Sequence, residues 1–166
     1  MNSAACTIRF YEVGVEEPIQ TIVIKEDELR YGKVNAIIDD AIIKLERLRG
    51  SELLPYYSRR REAYKLSSLL RKAIIDDLET IRYILTAVFV ERIIELPIEI
   101  NVHYDIGRSK VRRKIEFIID EIISLNRLSM IKSAYAKYSG FIMARNNKLI
   151  VVFSDTAEES MRGGKS

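Results

Sequence analysis

The stretch that most restricts what this chain can fold into is LSSLLRKAIIDDLETIRYILTAVFVERIIEL, residues 66–96. It holds no glycine and no proline until Pro97, which cannot continue a helical hydrogen-bond ladder. At helical spacing Leu70, Ile74, Leu78, Ile81, Leu85 and Val88 form one apolar stripe, widened by Leu69, Ala73, Ile84 and Phe89. Asp76, Asp77, Glu79 and Arg82 mark a polar side. From Tyr83 to Val90 there is no charge, so burial nearly all round is expected there. A helix of this length spans roughly 45 Å. One small core does not need that reach, so other helices, or another chain, are expected along it.

A second amphipathic helix is predicted over residues 33–49, from Val34, Ile37, Ile38, Ala41, Ile42, Leu45 and Leu48, with Gly50 ending it. Residues 58–65 (SRRREAYK) resume as helix from a Ser58 cap. A third long helix is predicted over 108–138, with Val111, Ile115, Ile118, Ile119, Ile122, Leu125, Leu128 and Ile131 along one side. Before it, IEINVHYDIG (98–107) reads as a short strand or a loop. Residues 6–13 and 19–24 alternate and pair as an N-terminal hairpin. GFIMAR and KLIVVF flank Asn146-Asn147, a good two-residue hairpin turn. The predicted fold is therefore mainly α with a small β part: a long-helix bundle plus an N-terminal and a C-terminal β-hairpin. The divisions are 1–31 (small β-rich region), 32–139 (helical domain), 140–154 (β-hairpin) and 155–166 (flexible tail).

No catalytic constellation emerges. The seven glycines are scattered, with no phosphate-cradling loop. His103 is the only histidine and Cys6 the only cysteine, so neither a His-rich metal site nor an internal disulfide is expected. No cofactor is implied. Asp39-Asp40 reads as solvated helix face, since adjacent helical residues point apart. Asp76-Asp77, mid-helix, reads as partner to an arginine on a neighbouring helix. The lack of a leader-like start and of a long apolar run predicts a soluble, cytoplasmic protein without a membrane contact. Abundant charge with one glutamine resembles a thermophile composition.

Two basic runs stand out in a chain of net charge +3. Arg59, Arg60, Arg61 and Lys65 follow Tyr56-Tyr57, and Arg108, Lys110, Arg112, Arg113 and Lys114 open the third predicted helix. Positive charge there opposes the helix dipole, which points to a compensating anion. The runs read as contacts for nucleic acid or an acidic partner, or as solvated faces with internal salt bridges.

The order of features over residues 45–96 resembles a GINS complex subunit, of the archaeal type with its small β region first. LERLRGSE is followed by LLPYYSRRREAY and then by SSLLRKAIIDDLETIRYIL, with Asp77, Glu79 and Arg82 as its acidic-arginine centre. The resemblance implies a non-enzymatic replisome scaffold for DNA replication. It also implies a 2:2 tetramer with a second GINS subunit type, and contacts to the MCM helicase, a RecJ-like protein and primase. Ile84, Phe89 and Ile93, with Tyr56 and Tyr57, are then expected at the partner interface. The alternative is a nucleic-acid-binding module, winged-helix-like with Lys148 at a wing tip, or a helical coat subunit of a nucleoprotein complex.

Overall fold

The computed structural model describes residues 4–54, 60–86, 98–107, 110–119, 125–134, 139–145 and 148–154. Its centre is a six-stranded mixed sheet. In chain order the strands are β1 (Ala4–Glu12), β2 (Gln20–Lys25), β3 (Ile98–Ile106), β4 (Val111–Ile119), β5 (Ser139–Arg145) and β6 (Lys148–Ser154). The helices are α1 (Tyr31–Arg47), α2 (Gly50–Leu53), α3 (Arg60–Ile84) and α4 (Leu125–Ala134). The strands lie in the order β2-β1-β3-β4-β6-β5. All neighbours are antiparallel except β1 and β3, which run parallel with Cys6 beside Ile98 and Tyr11 beside His103. A parallel pair needs a long crossover, and α1 to α3 supply it.

This is a mixed α/β fold, and the mainly α long-helix bundle expected from the sequence is incorrect. The error lies chiefly in residues 111–119. VRRKIEFII satisfies a helical period through Val111, Ile115 and Ile118, but it satisfies a period of two as well. The structure uses the second. Ile115, Phe117 and Ile119 are buried on one face while Arg112 and Lys114 are exposed on the other. β4 pairs with β3 on one side and β6 on the other, which satisfies its backbone groups from both directions. Residues 98–106, open between strand and loop, are the strand next to it. The two terminal hairpins are not separate pieces: β1–β2 and β5–β6 are the two flanks of the one sheet.

One sheet face carries Cys6, Ile8, Phe10, Ile98, Ile100, Val102, Tyr104, Ile115, Phe117, Ile119, Val151 and Phe153. It joins one apolar core with Val34, Ile38, Ala41 and Leu45 of α1, with Leu66, Leu70, Ile74, Leu78 and Ile81 of α3, and with Ile131 of α4. Phe117 stands edge-on to Phe153 with centroids 6.2 Å apart. Each such side chain, fully buried, contributes about 1.5–3 kcal/mol relative to exposure.

Local details also depart from expectation. Gly50 does not end α1; Leu48 is its C-cap, and Gly50 is the first residue of α2. A Cβ at Gly50 would lie 2.7 Å from Ser67 Oγ, so glycine lets α2 press on α3. Tyr83, expected to be enclosed, is 54% exposed, and Leu69 is at the surface too. The expectations for Ser58, Val88, Pro97 and the Asn146-Asn147 turn fall on positions outside the described residues.

Candidate functional site

Three groupings of polar side chains bear on function: a buried cluster under the sheet, a basic corner where three helices meet, and the sheet face away from the helices.

The buried cluster centres on Asp77, 1% exposed, on the sheet-facing side of α3. The Tyr104 hydroxyl of β3 donates to Asp77 Oδ2 at 2.5 Å, and Arg113 Nε of β4 lies 3.4 Å from the same oxygen. The second contact is an ion pair without hydrogen-bond geometry, so Tyr104 is the directional partner and Arg113 the neutralising charge. Asp77 thus has the arginine partner expected for it, on a strand rather than on a helix. Asp77 and Tyr104 are closed off from solvent, Tyr104 at 0% exposure, and the cluster's chemistry is to pin α3 to the sheet.

A second ionic joint ties α3 to α1. Arg82 Nη1 is 2.6 Å from Asp39 Oδ1 and donates to Asn35 Oδ1 at 3.1 Å, while its Nη2 donates to Glu79 Oε1 at 2.9 Å. Asp39 is therefore more than solvated helix face. Asp40 pairs with Lys44 one turn on, at 2.9 Å.

The basic corner forms where the C-terminal end of α1, α2 and the first half of α3 converge. Arg71 Nε donates to Leu45 O at 3.1 Å, and its Nη2 donates to Leu48 O. The guanidinium thus closes the α1 C-terminus, where carbonyls lack intrahelical partners. Gly50 against Ser67 forms the neighbouring junction. Around these two junctions Arg47, Arg49, Lys65 and Lys72 are all exposed. Among the described residues none of the four makes an ion pair. Between positions 44 and 72 the chain has nine basic and three acidic residues, a net of +6; with +3 for the whole chain, the rest sums to −3.

The two basic runs meet different fates. Arg60, Arg61 and Lys65 lie in the first turns of α3, with Lys65 exposed just before Ser67. Arg59, Tyr56 and Tyr57 are outside the described residues, as are Phe89, Ile93 and Arg108. The second run is split by the pleat of β4. Arg112 and Lys114 are exposed on one face, Arg113 turns inward to Asp77, and Lys110 is exposed just before the strand. No helix begins there, so the supposed conflict with a helix dipole does not arise. Ile84, expected at a partner interface, is 0% exposed within its own chain, as is the stripe of Leu70, Ile74, Leu78, Ile81 and Leu85. Sequence reasoning missed Arg47, Arg49 and Lys72, because only the Arg71 bonds to Leu45 and Leu48 bring the end of α1 to the turn of α3 that carries Lys72.

The sheet face away from the helices carries Thr7, Arg9 and Tyr11 of β1 and Glu99, Asn101, His103 and Asp105 of β3. Arg112, Lys114 and Glu116 of β4 continue it. Tyr11 and His103 stack with centroids 5.0 Å apart and planes at 11°. Lys114 Nζ is 3.5 Å from Glu116 Oε1. Burial pushes the His103 pKa down, and Lys114 adds to this against a smaller opposite pull from Glu116 than burial exerts. Cys6 is buried and its thiol is pushed up to about 12, so it is not a nucleophile. Glu12, Glu17 and Glu52 line a small pocket with Val15, Pro18, Ile19 and Leu53. Among the described residues no histidine, cysteine or carboxylate group gathers as a metal site, and no described helix is long and apolar enough to cross a membrane. Comparison of the chain with protein-family models, with curated proteins and with solved structures finds no match.

Proposed function

We propose that this chain is a non-enzymatic, cytoplasmic nucleic-acid-binding protein that holds a phosphodiester backbone on the corner formed by α1, α2 and α3. The observation that carries the reading is the set of four exposed cations, Arg47, Arg49, Lys65 and Lys72, unpaired among the described residues and set around two helix junctions. Exposed cations without internal partners keep a counter-charge to offer. The stretch 44–72 carries a net +6 in a chain that totals +3, so the positive charge is concentrated in the sequence that builds this corner.

The described part of the α3 apolar stripe is taken up by the sheet and by α1. A partner chain is therefore not needed to cover its described length.

The test is binding of a short labelled DNA duplex across a salt series. Four phosphate contacts give a log–log slope of about −3 to −4, at roughly −0.9 per contact. Arg47→Glu combined with Lys72→Glu flattens it by about 2. A slope unchanged in this variant removes the corner from the account. Equal capture of poly-glutamate and of DNA shows an acidic-protein surface instead and overturns the proposal.

A further inference from the structure

We infer that the sheet face opposite the helices is a second contact, a stacking platform for the bases of single-stranded nucleic acid, built on Tyr11 and His103. The inference rests on the nucleic-acid reading above but uses a different part of the molecule and a different force.

Two aromatic pairs stand back to back at the same place in the sheet, on the parallel strands β1 and β3. Phe10 and Tyr104 stack at 6.3 Å on the helix side, both 0% exposed and both members of the core. Tyr11 and His103 stack at 5.0 Å on the other side, half-buried, and neither belongs to the core cluster. The inner pair fills space that must be filled. The outer pair is two flat rings set parallel on a face that solvent reaches, a start to which a further ring can be added by stacking.

The charges on this face decide which nucleic acid it suits. Arg9, Arg112 and Lys114 are set against Glu99, Asp105 and Glu116. Lys114 is engaged with Glu116, and Arg112 sits opposite Asp105 in the register. Arg9 makes no ion pair among the described residues. The face is therefore close to neutral, and attraction for phosphate is weak there. Affinity has to come from stacking, which a duplex withholds because its bases are already stacked within the helix. Unpaired bases are free to extend the Tyr11–His103 stack. Burial keeps the imidazole neutral at ordinary pH, which leaves the face without a further cation.

The two surfaces are separable in one experiment. The full chain and its variants are titrated with a short oligothymidylate and with a short duplex, each across a salt series. Tyr11→Leu and His103→Leu each lower single-strand affinity about tenfold. Their salt slope stays unchanged and duplex affinity stays within about twofold. The corner variant Arg47→Glu with Lys72→Glu instead flattens the slope for both ligands. The chain has no tryptophan, so Tyr11→Trp places a single reporter on the platform, and the oligothymidylate quenches it saturably while the duplex does not. Folded Tyr11→Leu and His103→Leu proteins that bind the single strand like the parent overturn the platform and leave the corner standing. Quenching of the Tyr11→Trp reporter by duplex and single strand alike does the same. A parent chain that binds neither nucleic acid overturns the corner reading and the platform with it.

Discussion

Truncating Asp77 to alanine tests whether the buried cluster is what fastens α3 to the sheet. In the native chain its carboxylate, 1% exposed, accepts from the Tyr104 hydroxyl at 2.5 Å and neutralises Arg113, whose side chain is 15% exposed. Asp77→Ala removes both at once. The Tyr104 hydroxyl loses the Asp77 carboxylate as acceptor, and the mostly buried Arg113 loses the opposite charge beside it. Removing one member of such a pair costs about 3–5 kcal/mol. For a chain of this size each kcal/mol lowers Tm by about 2–4 °C, so a fall of about 10 °C is expected. The assay is thermal unfolding followed by circular dichroism, with urea unfolding to confirm that the m-value is unchanged. The companion is the triple variant Asp77→Leu, Tyr104→Phe, Arg113→Met, which replaces the cluster with apolar groups of similar size. It recovers most of the loss, because it also removes the hydroxyl and the guanidinium whose contacts with Asp77 the single variant breaks. A Tm for Asp77→Ala within a degree or two of the parent would refute the reasoning.

Two further outcomes follow from single positions. Gly50→Ala puts a methyl 2.7 Å from Ser67 Oγ and 3.4 Å from its Cβ; it is expected to destabilise by about 1–3 kcal/mol, and adding Ser67→Ala, which deletes the clashing oxygen alone, restores most of the parent's urea midpoint. Glu12, whose carboxyl is pushed above its usual range by burial, keeps its proton in the folded chain at pH values where the unfolded chain has lost it. The folded state binds the more protons there, so Glu12's contribution is fully present below the ordinary carboxylate pKa and is lost as pH rises through the raised one. Glu12→Gln therefore raises Tm relative to the parent at pH 7, and the difference disappears near pH 4; a constant difference across that range counts against the assignment.

How much of this was legible in the residues depends on whether a pattern admits one period or two. α1 was, because Val34, Ile38, Ala41 and Leu45 fit only a helix, and all four are buried. The alternating runs behind β1 and β2 were equally plain. β4 was not: its hydrophobic residues satisfy both periods, and the choice is made by β3 and β6, which bond to its two sides. Neither partner is visible in a local window. Misreading β4 made the whole chain look helical and turned one alternating basic strand into a supposed positive helix end. The Arg59–Lys65 run was visible as composition, yet its surroundings were not. Only the Arg71 bonds to Leu45 and Leu48 bring the end of α1, with Arg47 and Arg49, to the part of α3 that carries Lys72. The Tyr11–His103 stack depends on a register between strands far apart in the chain, and the lone histidine gave no hint of it.

That same register has a kinetic side. β1 leaves the ribosome before its inner neighbour β3, and the α1–α3 crossover must be made before Cys6 can lie against Ile98. Closing so long a loop costs entropy that no local contact refunds in advance. The opening hairpin thus spends the interval with one edge of hydrogen-bonding groups open, and any nascent chain released before residue 98 would expose that edge to its neighbours.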